Sequence, residues 1–169
     1  MKHLILALLA ASVLGPARAA DISGRASVID GDTIEIHGQR IRLWGIDAPE
    51  SAQLCRGGDS DLYRCGAQSA NDVAAFLEGR AVSCEPLDAD RYGRTVARCF
   101  AGGIDLAGWL VGRGLALDWP RYSHGQYATR QDEAHRAERG VWSGSFVEPW
   151  RYRACVRAGG RPAKCSDEP

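Results

Sequence analysis

Asp30 and Asp32 at the front and Asp47 and Glu50 at the back bracket one short stretch of a 169-residue chain, with Arg42 between them. Carboxylates brought together repel unless a positive charge sits among them. No histidine or cysteine is placed to join Asp32 and Asp47, so the cation they would prefer is a hard one, calcium or magnesium, with carbonyls, water and substrate oxygen completing its shell. Asp30 would stand behind them as a supporting partner. Glu50 is the natural candidate to activate a water beside such a cation. Arg42, flanked by Ile41 and Leu43, needs an anion, either a phosphate or Glu35 across the turn. Further on, Asp90-Arg91-Tyr92-Gly93-Arg94 offers two arginines and a ring. Arg94 suits a phosphate clamp and Tyr92 a stacking surface for a base or sugar. Each piece alone has a plainer reading as a turn, a solvated loop or a charged hairpin tip. Ser51, Ser123 and Ser143 have no histidine-plus-acid set near them, which removes a serine hydrolase.

The elements that must position these residues follow from the hydrophobic pattern. Ile34 and Ile36, then Ile41 and Leu43, alternate on either side of a turn at His37-Gly38 or Gly38-Gln39. The two turn centres differ by a two-residue shift, which keeps the faces unchanged. Asp32 therefore falls opposite Leu43 or Gly45, near Asp47, in either register. Strict alternation places Arg42 with Trp44 on the face away from Ile41 and Leu43, so reaching the acids requires twist or a barrel rim. After a polar loop, Ala70, Val73, Ala74 and Leu77 have helical spacing, with Gly79 as the stop. Residues 80–85 and 93–100 read as a second hairpin. Asp105 caps a short helix carrying Leu106, Trp109 and Leu110, residues 115–119 are extended, and a third helix spans 127–139 with Ala134 and Ala137 inward. Five strands with helices after the third and fifth make an α+β pattern compatible with a small closed barrel.

The bulk numbers constrain the rest. Residues 1–19 carry Lys2 and His3, an apolar run from Leu4 to Leu14, and Ala17-Arg18-Ala19, which read as a cleaved secretory signal. The run is far short of the roughly 20 residues a membrane span needs. Cleavage removes Lys2 and Arg18 and no acid, leaving 19 basic against 21 acidic residues and a net charge of −2. That excludes a global basic field; any anion site is local. Six cysteines in an exported chain point to disulfides, and neighbouring pairs are favoured: Cys55–Cys65, Cys84–Cys99 and Cys155–Cys165. A turn at Asp90–Gly93 sets Cys84 opposite Cys99, within bridging distance. The expected organisation is thus a signal peptide at 1–19, one domain at 20–147 and a disulfide-pinned tail at 148–169.

Three of these motifs together resemble the thermonuclease family of staphylococcal nuclease-like domains. They are Val28-Ile29-Asp30-Gly31-Asp32-Thr33, then Arg42-Leu43-Trp44-Gly45-Ile46-Asp47-Ala48-Pro49-Glu50, then Asp90-Arg91-Tyr92-Gly93-Arg94, with Gly140-Val141-Trp142 closing. The resemblance covers residues 22–146. It implies a five-stranded OB-fold barrel with three helices and calcium-dependent hydrolysis of phosphodiester bonds in DNA and RNA; with the secretory signal, the expected setting is a monomer in the periplasm or medium. By matching positions, Asp32 and Asp47 would hold Ca2+ through side chains and Ala48 through its carbonyl. Arg42 and Arg94 would bind the scissile phosphate, Glu50 would orient or deprotonate the attacking water, and Arg91 and Tyr92 would contact a terminal phosphate. Ala48 replaces a frequent threonine. The competing expectations are a catalytically silent OB-fold binding module, which needs no metal-plus-base set, and a disulfide-stapled inhibitor, which explains none of the charged motifs.

Overall fold

The computed structural model describes residues 20–166; the signal peptide expected at 1–19 lies outside them. The chain opens with β1 (Ile22–Gly24) and β2 (Ala26–Asp30), followed by β3 (Thr33–Ile36) and β4 (Gln39–Leu43). Ile34 pairs with Ile41 and Ile36 with Gln39, so His37-Gly38 is the turn. Both turn residues have positive φ, 52° and 79°, which suits the tight hairpin twist. The faces come out as expected: Ile34, Ile36, Ile41 and Leu43 are all buried in the main core.

The second hairpin is β8 (Val82–Ala89) with β9 (Thr95–Ala101). Cys84 faces Cys99, and a bulge between Pro86 and Asp88 then shifts the register so that Ala89 faces Thr95. The main sheet runs β1-β8-β9-β4-β3-β2. Its two ends, β1 and β2, are separated in sequence only by Arg25, so the order returns to the run it began with. The β4–β9 contact is parallel, Ile41 opposite Thr95 and Leu43 opposite Ala97; the other pairs are antiparallel. The sheet has seven strands rather than five. The first run splits at Arg25 as it changes partners, and the short β10 (Ile104–Asp105) adds to β9.

The three expected helices are present as α1 (Cys65–Leu77), α2 (Leu106–Gly112) and α4 (Ala128–Arg136). The inward row of α1 is Cys65, Ser69, Val73 and Leu77, an i, i+4 series that leaves Ala74 outside. Asp105 caps α2 by accepting from the Ala107 N–H at 3.1 Å. Ala134 is buried, but α4 ends before Ala137, which is exposed. Smaller pieces lie between or just after these: β5 (Ile46–Asp47), β6 (Cys55–Arg56), β7 (Leu62–Tyr63), β11 (Leu117–Asp118), α3 (Pro120–Ser123) and a 3-10 helix at Gly140–Ser143.

The stretch read as a tail is folded. Pro149 starts α5 (Pro149–Arg157), and α6 (Pro162–Cys165) follows. Their Tyr152, Cys155, Val156 and Cys165 form a satellite core with Val147. The three-helix expectation therefore falls short among the described residues, because a tail with its own apolar row and a bridge needs little else to become helical. All three expected disulfides are formed. No described helix is long and apolar enough to cross a membrane.

Candidate active site

The β3–β4 hairpin puts Thr33 directly opposite Arg42. Both lie on the face away from Ile41 and Leu43, as the alternation demanded, and the acids come to that face. Asp32 immediately precedes β3, and its carbonyl accepts the Leu43 N–H at 2.8 Å. Asp47 sits on β5, which pairs with β11 through Asp47 and Leu117. Arg42 bridges the two aspartates, Nη1 to Asp32 Oδ1 at 3.1 Å and Nη2 to Asp47 Oδ1 at 2.9 Å. Glu35 is left to Arg40 at 3.7 Å. Arg42 thus pairs with the two aspartates themselves, a partner that neither expected alternative, phosphate or Glu35, had named.

Asp32 is held from three sides. Its Oδ2 accepts the Ala48 N–H at 3.1 Å and its Oδ1 the Thr33 hydroxyl at 3.1 Å. Asp30 Oδ1 accepts the backbone N–H of Asp32 at 3.0 Å, which ties the Asp30 side chain to the Asp32 main chain. Burial, with the charge of Asp32 beside it, pushes the Asp30 carboxyl up to about 6.

Arg94 arrives from the far hairpin. Its Nε donates to Asp90 Oδ2 at 2.7 Å and its Nη1 to the Thr33 hydroxyl at 3.2 Å. Thr33 therefore links Arg94 to Asp32. Arg91 and Tyr92 stay at the hairpin tip, apart from the acids: Arg91 donates to the Tyr92 hydroxyl at 2.6 Å, and Tyr92 is 68% exposed. The Arg94 guanidinium lies 5.7 Å from the centre of the same ring.

Glu50 follows Pro49 on a loop fixed by Gln53, a fully buried side chain. Gln53 Oε1 accepts the Glu50 N–H at 3.2 Å, and its Nε2 donates to the Val147 carbonyl at 2.6 Å. α1 presses on this loop through Gly66, where a Cβ would stand 1.8 Å from the Glu50 carbonyl oxygen.

One residue at the centre was not anticipated. Arg153, from α5, donates through Nη1 to Asp47 Oδ1 at 2.8 Å and through Nη2 to Asp47 Oδ2 at 2.7 Å. Its Nη1 also reaches Glu50 Oε1 at 2.8 Å. Burial alone would make this guanidinium easier to deprotonate, but the hydrogen bonds and charges of Asp47 and Glu50 outweigh it and hold Arg153 protonated. Arg42 is held protonated in the same way by Asp32 and Asp47 against its burial. Both guanidinium groups lie against Trp119, at 5.9 Å for Arg42 and 5.6 Å for Arg153. Trp119 in turn stacks on Trp150 of α5 at 6.2 Å.

The side chains thus form one connected line: Arg94, Thr33, Asp32, Arg42, Asp47, Arg153 and Glu50. Among the described residues no three His, Cys, Asp or Glu side chains form a ready-made metal cage. The donor chemistry of Asp32 and Asp47 nevertheless suits a hard cation, since both offer only carboxylate oxygen. Such an ion would take two side-chain ligands and leave room for water and substrate.

The sequence model described as "Staphylococcal nuclease homologue" matches residues 40–144, well over half of the chain. The chain belongs to the staphylococcal nuclease family. Within that family it is 34% identical over 146 residues to an uncharacterised endonuclease of Escherichia coli, covering 82% of this chain and 89% of that protein. A micrococcal nuclease of Shigella flexneri is 30% identical over 152 residues, covering 79% and 82%. The succinoglycan biosynthesis protein ExoI of Rhizobium meliloti (strain 1021) is 47% identical over 129 residues, covering 73% of this chain and 66% of its own length. The family brings with it the OB-fold barrel that the closed strand order describes. The family match includes Arg42, Asp47, Glu50 and Arg94 and stops before α5, so Arg153 lies beyond it.

Proposed function

We propose that this protein is an exported, calcium-dependent endonuclease that hydrolyses phosphodiester bonds of DNA and RNA as a monomer. The observation that carries the reading is the convergence of Asp32, Arg42, Asp47, Glu50 and Arg94 from separate loops and strands onto one connected site. A binding module has no use for a water-activating carboxylate beside paired aspartates and two arginines.

Asp32 and Asp47 would hold the cation, with the Ala48 carbonyl as a third ligand. The bound ion supplies positive charge at the phosphate oxygens. Arg42 spends two of its five N–H groups on the aspartates and Arg94 two on Asp90 and Thr33. The remaining donors of each are available to a phosphate, where they oppose the charge that grows on its equatorial oxygens. Glu50 orients the attacking water and accepts its proton as the new P–O bond forms, while the opposite ester bond breaks and its departing sugar oxygen takes up a proton from solvent water. Arg91 and Tyr92, at the exposed tip, would meet the terminal phosphate and sugar of the bound strand. The net charge of −2 for residues 20–169 confines nucleic acid binding to this cleft, so affinity for long duplexes should be weak.

The testing experiment is incubation of the purified protein with single-stranded DNA and with RNA in calcium, followed by gel analysis. Progressive shortening of either strand supports the reading. Intact DNA and RNA would move the protein to the silent binding module.

A further inference from the structure

We infer that Arg153, which also holds Glu50, is a tethered cation that competes with the divalent metal for Asp47, so the C-terminal helix sets how readily the site takes up metal. The inference rests on the metal-dependent reading above.

Asp47 has no exposed surface, and Arg153 covers both of its carboxylate oxygens with a two-pronged contact. Such forked pairs are the strong form of the arginine–carboxylate contact. Any ion that takes Asp47 from the solvent side must first displace this guanidinium. Charge leads to the same conclusion. With Arg153 in place, the carboxylates of Asp32, Asp47 and Glu50 face two guanidinium groups. With Arg153 withdrawn they face Arg42 alone, and the two uncompensated negative charges match a divalent cation.

The helix itself is not free to leave. Tyr152 is buried next to Arg153, and Cys155, two residues on, is bridged to Cys165. Gln53 donates to the Val147 carbonyl, and the Leu54 N–H donates to the Ser166 hydroxyl at 3.0 Å. The contest is therefore between a metal ion and one side chain on a fixed backbone. A tethered group acts at high effective concentration, and an ion that binds only the opened form has its apparent affinity reduced by the fraction of time the site is open.

The test is calcium binding measured by isothermal titration calorimetry on the full protein, with circular dichroism as a check on folding. Arg153→Ala should bind calcium about tenfold more tightly than the wild type, as expected if Arg153 blocks the site about nine-tenths of the time. Arg153→Gln, which keeps most of the volume, should do the same should the alanine variant fold poorly. Arg153→Lys should fall between, since it keeps the charge and loses the fork. Affinity unchanged or weakened in the neutral variants would overturn the competition and leave Arg153 as a structural brace. If neither wild type nor variants take up calcium, the metal reading itself fails and the inference falls with it.

Discussion

The Arg94 guanidinium donates to the Thr33 hydroxyl at 3.2 Å across two hairpins that are far apart in sequence. Thr33 is buried and passes the connection to Asp32 at 3.1 Å. A hydroxyl can accept and donate at once, so this single atom fixes the spacing between the arginine and the aspartate it serves. Thr33→Val keeps the shape and removes both bonds. Turnover on single-stranded DNA should fall by about tenfold through loss of alignment, while Thr33→Ser keeps most of it. Equal rates for all three proteins would show that Arg94 is positioned by Asp90 alone.

Arg94→Ala removes a donor that acts on developing charge. The expected loss in kcat is about 10²–10³-fold, or about 2.7–4 kcal/mol, as for other transition-state donors. The hairpin pair with Asp90 is partly exposed, so the melting temperature should change little. A rate within a factor of two or so of wild type would return Arg94 to the surface.

Asp90 gives a pH prediction. Its burial works to raise the pKa. The hydrogen bonds from the Arg94 guanidinium and from the backbone N–H groups of Arg94 and Tyr92, with the Arg94 charge, win and hold it below the usual carboxylate range. A lowered folded-state pKa stabilises the fold at pH values above the ordinary value near 3.9, and that contribution is lost as pH falls through the lower folded value. An NMR titration should place the Asp90 carboxyl midpoint below 3.9. A midpoint at or above it would mean that the Arg94 contact does not persist in solution.

Gly66 is where α1 meets the Glu50 loop with no room for a side chain. Gly66→Ala should cost on the order of 1–3 kcal/mol, the range for overpacking a tight contact, and should displace Glu50. Denaturant melts and kcat should both fall. Full stability with lost activity would show that the loop gives way and the helix does not.

The bridge between Cys84 and Cys99 joins two buried residues on paired strands. Replacing both with alanine should lower stability by about 2–4 kcal/mol without changing the metal response. Titration of the native protein with a thiol reagent should find no free cysteine, in line with the three bridges among the described residues.

The site was legible where it is local. Asp32 and Arg42 belong to one hairpin and Asp47 follows four residues after its second strand, so the period of the side chains and the short link fix their proximity whichever turn is chosen. Cys84 and Cys99 do face each other, but the hairpin tip pairs Ala89 with Thr95, one residue off the expected turn register, and it is the bulge at residues 86–88 that restores the register at the cysteines. Arg94 was visible through its motif, though its tie to the site runs through Thr33, whose role no spacing signals. Arg153 was not legible. The row of Tyr152, Cys155 and Val156 after Pro149 does carry a helical spacing, which points to α5. Nothing in that spacing tells Arg153 from Arg151, which pairs with Glu148 at 3.3 Å. Only the packing of the satellite core onto Val147 aims one of them at Asp47. The strand count was misjudged for a related reason: the break at Arg25 comes from barrel closure, a property of the whole sheet.

The most direct test of the central claim is cleavage of single-stranded DNA with calcium, with excess chelator, and with calcium restored. Cleavage should stop in chelator and return when calcium is added back, and Asp32→Asn should stay inactive throughout. Undiminished cleavage in chelator would contradict the metal role of Asp32 and Asp47 and, with it, the mechanism built on this site.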